Sequence, residues 1–388
     1  MTAEADGATW GYEQSRLDPG AFERSCATLG SLSASAYRIP TDAPEADGTF
    51  AWQATTIVVV ELAAQGITGL GYTYSDASLV PLIRDTLAPA LAGIGLDAIA
   101  AMHTRMQYQV RNLGRSGLAA TAISAIDCAI WDWHARRLDV ALATLLGRQR
   151  DQIPIYGSGG FTTYDDSRLR EQLGQWVHED GCRWVKLKVG SEPRKDPRRV
   201  AIAREAIGDE AGLFVDANGA FDRDSALHYS QRFAESNVEW FEEPVSSDDV
   251  KGLCAIRSRA PAGMAIAAGE YGYTTDDFRG LLEAEAVDVL QADLTRCGGV
   301  TGFMQAAALA DAFHIPLSAH CAPALHMSVA CAARRLRHQE WFHDHVRIES
   351  MLFDGSPRVE NGAIAPDFSR PGHGLALKAR DAAPYKVA

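Results

Sequence analysis

The sequence predicts an α/β chain: a TIM-like (β/α)-barrel preceded by an N-terminal α+β capping domain. Three observations carry this. From residue 152 onward, short apolar runs alternate with segments of helical period. Eight such runs occur, at 152–157, 183–188, 212–216, 238–242, 264–269, 287–292, 315–319 and 340–343, and eight is the strand number of this barrel. Six charged or polar residues close these runs at a steady beat: Lys188, Asp216, Glu242, Glu270, Asp293 and His320 stand 23 to 28 residues apart. A parallel strand and its crossover helix take about 30 residues, so the beat places all six at one mouth, where such barrels do their chemistry. The first 147 residues show a different pattern, with strands grouped first and helices after them.

Residues 1–28 are polar and irregular, with Trp10, Tyr12 and Phe22 as isolated anchors. They read as an arm that orders against another subunit, so a homo-oligomer is expected. SLSASAYRIP (31–40) and WQATTIVVVEL (52–62) are β-branched and alternating, as strands are. TDAPEADGTF between them has the Pro, Gly and Asp of a loop, and GITGLGYTY adds a third strand, so 31–74 is an antiparallel meander. Helical spacing runs from Leu79 to Leu146. Within it GLAATAISAIDCAIWDWHARRL is apolar on most faces, which predicts a buried helix. The capping domain is thus 1–147 and the barrel 148–352.

Barrel helices have readable ends. Asp196 followed by Pro197 fits an N-cap with Pro at the first helical position. Thr274 with Asp277 fits a capping box, and Gly181 ends a helix that starts near Asp166. Residues 353–388 are turn-rich and are expected to return to the capping domain.

At 388 residues the chain has room for a barrel of roughly 250 residues and a second domain. Its net charge of −13 argues against nucleic acid. An anionic substrate must therefore be drawn in by local charge. The seven cysteines (26, 128, 182, 254, 297, 321 and 331) are odd in number and lack CxxC pairs. They read as reduced thiols. The N-terminus does not read as a secretory signal and no apolar stretch reaches the length of a membrane span. A cytoplasmic location with no membrane or nucleic-acid partner is expected.

Side chains two apart on a strand share a face, so Lys186 and Lys188 point into the mouth together, as do Asp216 and Asn218 if the strand extends that far. Two adjacent lysines should lower each other's pKa, which suits a base. Asp216, Glu242 and Glu270 are hard oxygen donors from successive strand ends, a set suited to Mg²⁺ rather than zinc. Glu243 should face away from the mouth. Asp293 beside His320 would fix the imidazole tautomer and raise its basicity. Glu340, if protonated, could hydrogen-bond a developing oxyanion. Each residue alone has a plainer reading, as a solvated lysine, a helix cap or a satisfied polar group; the ordered set distinguishes them.

The order KxK, DxN, EEP, GE, DxxxxGG and SAH, with WDWHARRLDVALATLLG and DLTRCGGVTG, resembles the enolase superfamily and its mandelate racemase subgroup over nearly the whole chain. The resemblance implies the enolase-type barrel and cap, with Asp216, Glu242 and Glu270 as Mg²⁺ ligands. It implies Lys188 as base on one substrate face, with Lys186 beside it, and the Asp293–His320 dyad as acid/base on the other. It aligns Glu340 with the acid that hydrogen-bonds the substrate carboxylate. Muconate-lactonising relatives carry Lys where this chain has Asp293, which argues against that subgroup. Arg296 stands where the racemase has Lys; with Asn218 and Tyr72 it is a candidate substrate contact. Thr49, Tyr72, Tyr74 and Ser75, in loops 40–51 and 72–78 over the mouth, suit a hydroxyl-rich ligand. His343 and His345 could line the mouth, but read rather as surface or packing residues.

The implied chemistry is removal of the proton alpha to a carboxylate through an enediolate, as in enolase-type sites generally. Dehydration of a sugar acid to a 2-keto-3-deoxy acid is the preferred outcome. Racemisation or epimerisation of a 2-hydroxy acid is the alternative, and a catalytically silent binding protein on the same fold is the reading from another class.

Overall fold

The computed structural model describes residues 27–388. Of the sequence-predicted arm, residues 1–26 lie outside the described residues.

The capping domain opens with the antiparallel sheet β1 (Ser31–Ala46), β2 (Ala51–Ala64) and β3 (Ile67–Tyr74), in that order. The strand β1 runs past its expected end at residue 40. Its ladder with β2 lapses between Pro40 and Glu45 and resumes with Glu45 opposite Trp52. Pro40 has no N–H to give, so the loop-like composition is absorbed as an irregularity inside a strand. Only 47–50 remain as a hairpin tip, where Asp47 Oδ1 accepts from the backbone N–H of Thr49 and Phe50.

Short turns α1 (Leu79–Leu82) and α2 (Ala88–Ala90) flank a π-helical turn and lead to α3 (Ile99–Gln109) and α4 (Leu118–Arg137). The helix α4 is buried along most of its length, as its apolar sequence predicts. It lies directly on β3, where a Cβ at Gly71 would stand 2.1 Å from the Ala125 carbonyl oxygen; only glycine permits that approach. After α5 (Leu142–Leu145) the barrel begins.

Its strands are β4 (Ile153–Gly159), β5 (Trp184–Lys188), β6 (Gly212–Asp216), β7 (Val238–Glu242), β8 (Ala265–Ala268), β9 (Val289–Ala292), β10 (Leu317–Ala319) and β11 (Leu336–Phe342). Neighbours pair in parallel in chain order, and β11 closes on β4 with Glu340 opposite Tyr156. The helices between them are α6 (Asp166–His178), α7 (Asp196–Ile207), α8 (Arg223–Ala234), α9 (Val250–Arg257), α10 (Thr275–Glu283), α11 (Gly299–Ala312) and α12 (Pro323–Ala332), and α13 (His343–Leu352) follows the last strand.

The capping box at Thr274 and Asp277 is present, and α6 stops before Gly181, whose φ is 73°. At α7 the cap is Lys195. Asp196 is already helical, and its carboxylate instead accepts from the Gly190 N–H at 2.8 Å. The barrel floor is a plug of Tyr156, Phe214 and Trp240, the last two stacked at 5.1 Å, with His338 against them. This apolar floor keeps water from below, so charges above it act in a low dielectric.

The C-terminal segment holds β12 (Phe353–Asp354), β13 (Ala363–Ile364), β14 (Ala376–Leu377) and α14 (Ala379–Ala382). Strand β13 adds antiparallel to β4, and the Ala36 N–H donates to the Ala388 carbonyl at 2.9 Å. Buried Asp132 of α4 accepts from the Leu70 and His373 N–H groups, each at 2.8 Å, so cap and tail share one carboxylate.

Glu349 of α13 ties barrel to cap: it accepts from Tyr72 Oη at 2.6 Å and from the Ala324 N–H at 3.0 Å. Burial pushes its carboxyl up to about 8 against those two bonds, whereas an unfolded Glu titrates near about 4.3. The folded chain therefore holds this proton more tightly. Its contribution to stability is full below the unfolded value and is lost as pH rises through about 8. In Glu349→Gln the amide oxygen can still accept from Ala324 while its NH₂ donates to Tyr72. The variant should gain stability on wild type by up to about 1.4 kcal/mol per pH unit between roughly pH 5 and 8. Denaturant titrations at three pH values check this, and a pH-independent difference refutes it.

Candidate active site

The C-terminal ends of the barrel strands gather the predicted residues. Cross-strand register sets Lys188 beside Asp216 and Asp216 beside Glu242, one row across β5, β6 and β7. Lys188 Nζ lies 2.5 Å from Asp216 Oδ2. Lys186 Nζ donates to both Glu242 oxygens at 2.7 and 2.8 Å and stands 2.8 Å from Glu340 Oε1. Trp240 Nε1 also donates to Glu242, at 2.9 Å.

Glu270 follows β8, Asp293 follows β9 and His320 follows β10. His320 Nδ1 is 2.8 Å from Asp293 Oδ2. An ionised carboxylate only accepts, so Nδ1 carries the proton. Asp293 is itself fixed by Thr295, whose N–H and hydroxyl each donate to Oδ1 at 2.7 Å. His320 Nε2 lies 3.0 Å from Glu270 Oε2. That contact is an ion-pair distance without hydrogen-bond alignment, since Glu270 Oε2 has no hydrogen-bond partner. Arg296 reaches Glu270 Oε1 at 3.4 Å and Asp293 Oδ2 at 3.5 Å, with its guanidinium over the Tyr271 ring.

A cavity of about 310 Å³ opens onto Lys188, Asn218, Glu270, Arg296, His320 and Glu340 from the barrel. Its opposite wall comes from the cap and α13: Trp52, Thr55, Tyr74, Ser75 and His345. On the barrel side, the side-chain oxygen of Asn218 is buried and has no hydrogen-bond partner.

Four expectations change here. Tyr72 does not line the cavity: its hydroxyl is taken by Glu349, and its ring stacks on Phe353 at 4.9 Å, inside the seam between cap and tail. Of the two β3 tyrosines, it is Tyr74, at the strand end, that reaches the mouth. Glu243 does not face away. The strand stops at Glu242, Glu243 takes φ 38°, and its carboxyl is buried among Glu270, Asp216 and Glu242; burial first and then Glu270 push it well up.

The lysines are not depressed. Burial would lower Lys188, but Asp216 outweighs it and holds the ammonium above its ordinary value; for Lys186, Glu242 and Glu340 do the same. Glu340 is not held protonated. Burial would raise it, yet Lys186 and His320 keep it well below the usual carboxylate range, and it accepts from Ser158 Oγ at 2.6 Å and the Cys321 N–H at 3.0 Å.

Sequence reasoning assigned no site role to several wall residues, among them Trp52, Thr55, His345 and Cys321. His345, read as a packing residue, lines the cavity with its ring stacked 3.4 Å from Tyr74, and its Nδ1 accepts from the Ala322 N–H. Cys321 adjoins His320 Nε2 and Glu340 Oε2, 3.4 Å from each. Cys321 adjoins the end of β10, but like His345 it carries no spacing signal. Thr49 turns back onto Asp47 instead.

The charge balance invites a cation. Asp216, Glu242 and Glu270 are buried and each offers an oxygen within 4.8 Å of the others'. Burial, then Asp216, pushes Glu242 up to about 8. For Glu270, burial acts the same way but His320, Arg296 and Lys188 override it. Three converging buried carboxylates form an all-oxygen donor set, which fits a hard cation.

Comparison with known proteins agrees with this architecture. Residues 38–147 match the family model "Mandelate racemase / muconate lactonizing enzyme, N-terminal domain", and residues 168–382 match "Enolase C-terminal domain-like". The chain is 30% identical over 349 residues to the 3,6-anhydro-alpha-L-galactonate cycloisomerase of Streptomyces coelicolor, covering 88% of this chain and 94% of that one. A mandelate racemase/muconate lactonizing enzyme-like protein from Rubrobacter xylanophilus superposes with a TM-score of 0.90 at 48% identity, over 93% of this chain and 100% of that one. L-talarate dehydratase from Polaromonas sp. JS666, crystallised with Mg and L-glucarate, gives a TM-score of 0.83 at 30% identity, over 94% and 98%. No helix among the described residues is long and apolar enough to cross a membrane. With matching domains at both ends and an eight-stranded barrel carrying charged residues at its mouth, the chain belongs to the mandelate racemase/muconate lactonizing enzyme family of the enolase superfamily.

Proposed function

We propose that this chain is a Mg²⁺-dependent acid-sugar dehydratase, converting a polyhydroxylated acid to its 2-keto-3-deoxy product. The observation that carries the reading is the single cavity that holds both Lys188 and His320 beside the Asp216, Glu242 and Glu270 cluster. Those three carboxylates would hold the ion, which when bound supplies the positive charge that stabilises an enediolate.

The chain's own groups do the proton work. Lys188 or His320, in its deprotonated form, takes the proton from the alpha carbon, according to its configuration. Asp293 keeps the His320 proton on Nδ1, so Nε2 is the atom that faces the cavity. When Nε2 carries a proton it can give it to the beta-hydroxyl, which leaves as water. The enol that remains takes a proton at the beta carbon and becomes the keto acid. Arg296 and Asn218 line the same space and suit a substrate carboxylate or hydroxyl. The sugar-acid relatives above support the substrate class.

A panel of mono- and diacid sugars, assayed with Mg²⁺ for keto-acid formation, tests the reading. At least one sugar acid should yield keto acid. If none does and none exchanges its alpha proton with solvent, the chain is a silent member of its fold.

A further inference from the structure

A second group of metal-ligating side chains lies outside the catalytic cavity, where the cap meets the barrel. Asp42 lies within the irregular stretch of β1 and Glu45 ends it, and His343 is the first residue of α13. Each offers one ligand atom, and the three atoms lie within 4.8 Å of one another. Asp42 Oδ2 and His343 Nε2 are already 3.1 Å apart.

Glu45 is the telling member. It is completely buried. One oxygen accepts from Trp52 Nε1 at 2.8 Å, and the other, Oε1, has no partner. A buried carboxylate with a bare oxygen is costly unless a cation or proton meets it. Burial, then Asp344, push its carboxyl up to about 8, with Asp42 adding to the repulsion.

Two arginines stand nearby, but neither hydrogen-bonds the bare oxygen of Glu45. Arg347 Nη2 binds Asp344 at 2.7 Å and the Pro40 carbonyl at 2.6 Å, and its buried Nε has no acceptor, so the guanidinium does not close on Glu45. Arg168 holds Asp42 only at 3.4 Å while lying over the Tyr164 ring.

We propose that Asp42, Glu45 and His343 form a second divalent-cation site that clips the capping hairpin to the barrel. One imidazole with two carboxylates suits a borderline ion such as Zn²⁺ or Co²⁺ better than Mg²⁺, which favours all-oxygen sets. The two sites of this chain therefore differ in the metal they prefer. Asp42 and His343 line an outer cleft of about 760 Å³, so the ion reaches the site without crossing the catalytic cavity. The clip would act on the active site through Trp52, which donates to Glu45 and also lines the catalytic cavity beside the 47–50 tip.

The test is Co²⁺ titration of the full chain in excess Mg²⁺, read by visible d–d absorption and by metal counted after dialysis. Wild type should bind one more Co²⁺ per chain than Asp42→Asn/His343→Gln, and the variant's affinity at this site should fall at least about tenfold, as even outer-shell changes lower metal affinity by roughly 10- to 100-fold. Both substituted residues are partly exposed, and circular dichroism checks the variant's fold. Should the pair fail to fold, His343→Gln alone must show the same loss. Equal stoichiometry and affinity in wild type and variant overturns the site and leaves a proton, not a metal, on Glu45.

Discussion

Chelation should abolish turnover, Mg²⁺ should restore it, and Glu242→Gln should lose most of it even at high Mg²⁺. The substitution removes one of three negative charges that converge within 4.8 Å. It also changes the partner of Lys186, which donates to both Glu242 oxygens. Gln can accept one of those bonds but cannot balance the ammonium, so the charge of Lys186 falls on Glu340 and Asp216 alone. Weaker metal binding and a disturbed lysine both lower activity, and they are separable. Metal loss shows as a rise of at least about tenfold in the Mg²⁺ needed for half-maximal rate. A fall in kcat that persists at saturating Mg²⁺ reports the lost electrostatic stabilisation, on the scale of about 10² to 10³ for one such group. Full activity in metal-free enzyme would refute the metal assignment.

The positions that the sequence made legible are those fixed by strand periodicity. Lys188, Asp216 and Glu242 end their strands in one cross-strand row, and the βα repeat spaces them so regularly that order alone finds the mouth. Legibility stops where the strand stops. Glu243, Asn218 and Cys321 all take positive φ, at 38°, 46° and 51°, so side-chain alternation no longer predicts where they point. Glu243 was misplaced for that reason, and Asn218 reaches the cavity by a turn rather than by the pleat.

Tyr72 and Tyr74 share a face of β3 and are equivalent by period. What separates them is Glu349 and Phe353, which arrive from the far end of the chain and cover Tyr72. The titration of the lysines was illegible for the same physical reason. A lysine neighbour two residues away is visible in sequence, whereas the carboxylates of Asp216, Glu242 and Glu340 that outweigh it come from three other strands.

Lys188→Ala and His320→Asn should each fall by roughly 10² to 10⁴ in turnover, the usual contribution of a general acid or base, yet should retain different halves of the chemistry. The strands β5 and β10 lie on opposite arcs of the closed barrel, so the two groups approach the alpha carbon from opposite faces. Lys188→Ala should exchange only the alpha proton that faces His320, and His320→Asn only the one that faces Lys188. The second variant also strips Asp293 of its imidazole, leaving it with Thr295 and Arg296, so Asp293 itself stays satisfied and the loss reports the base. Proton NMR in deuterium oxide with a confirmed substrate resolves the two reactions. In a dehydratase, the variant lacking the acid for the leaving hydroxyl should still exchange deuterium while failing to eliminate. In an epimerase, both variants lose interconversion and keep one-sided exchange. The pattern of what survives therefore discriminates dehydration from epimerisation on the same two residues. Wild-type rates in both variants would refute the two-base assignment itself.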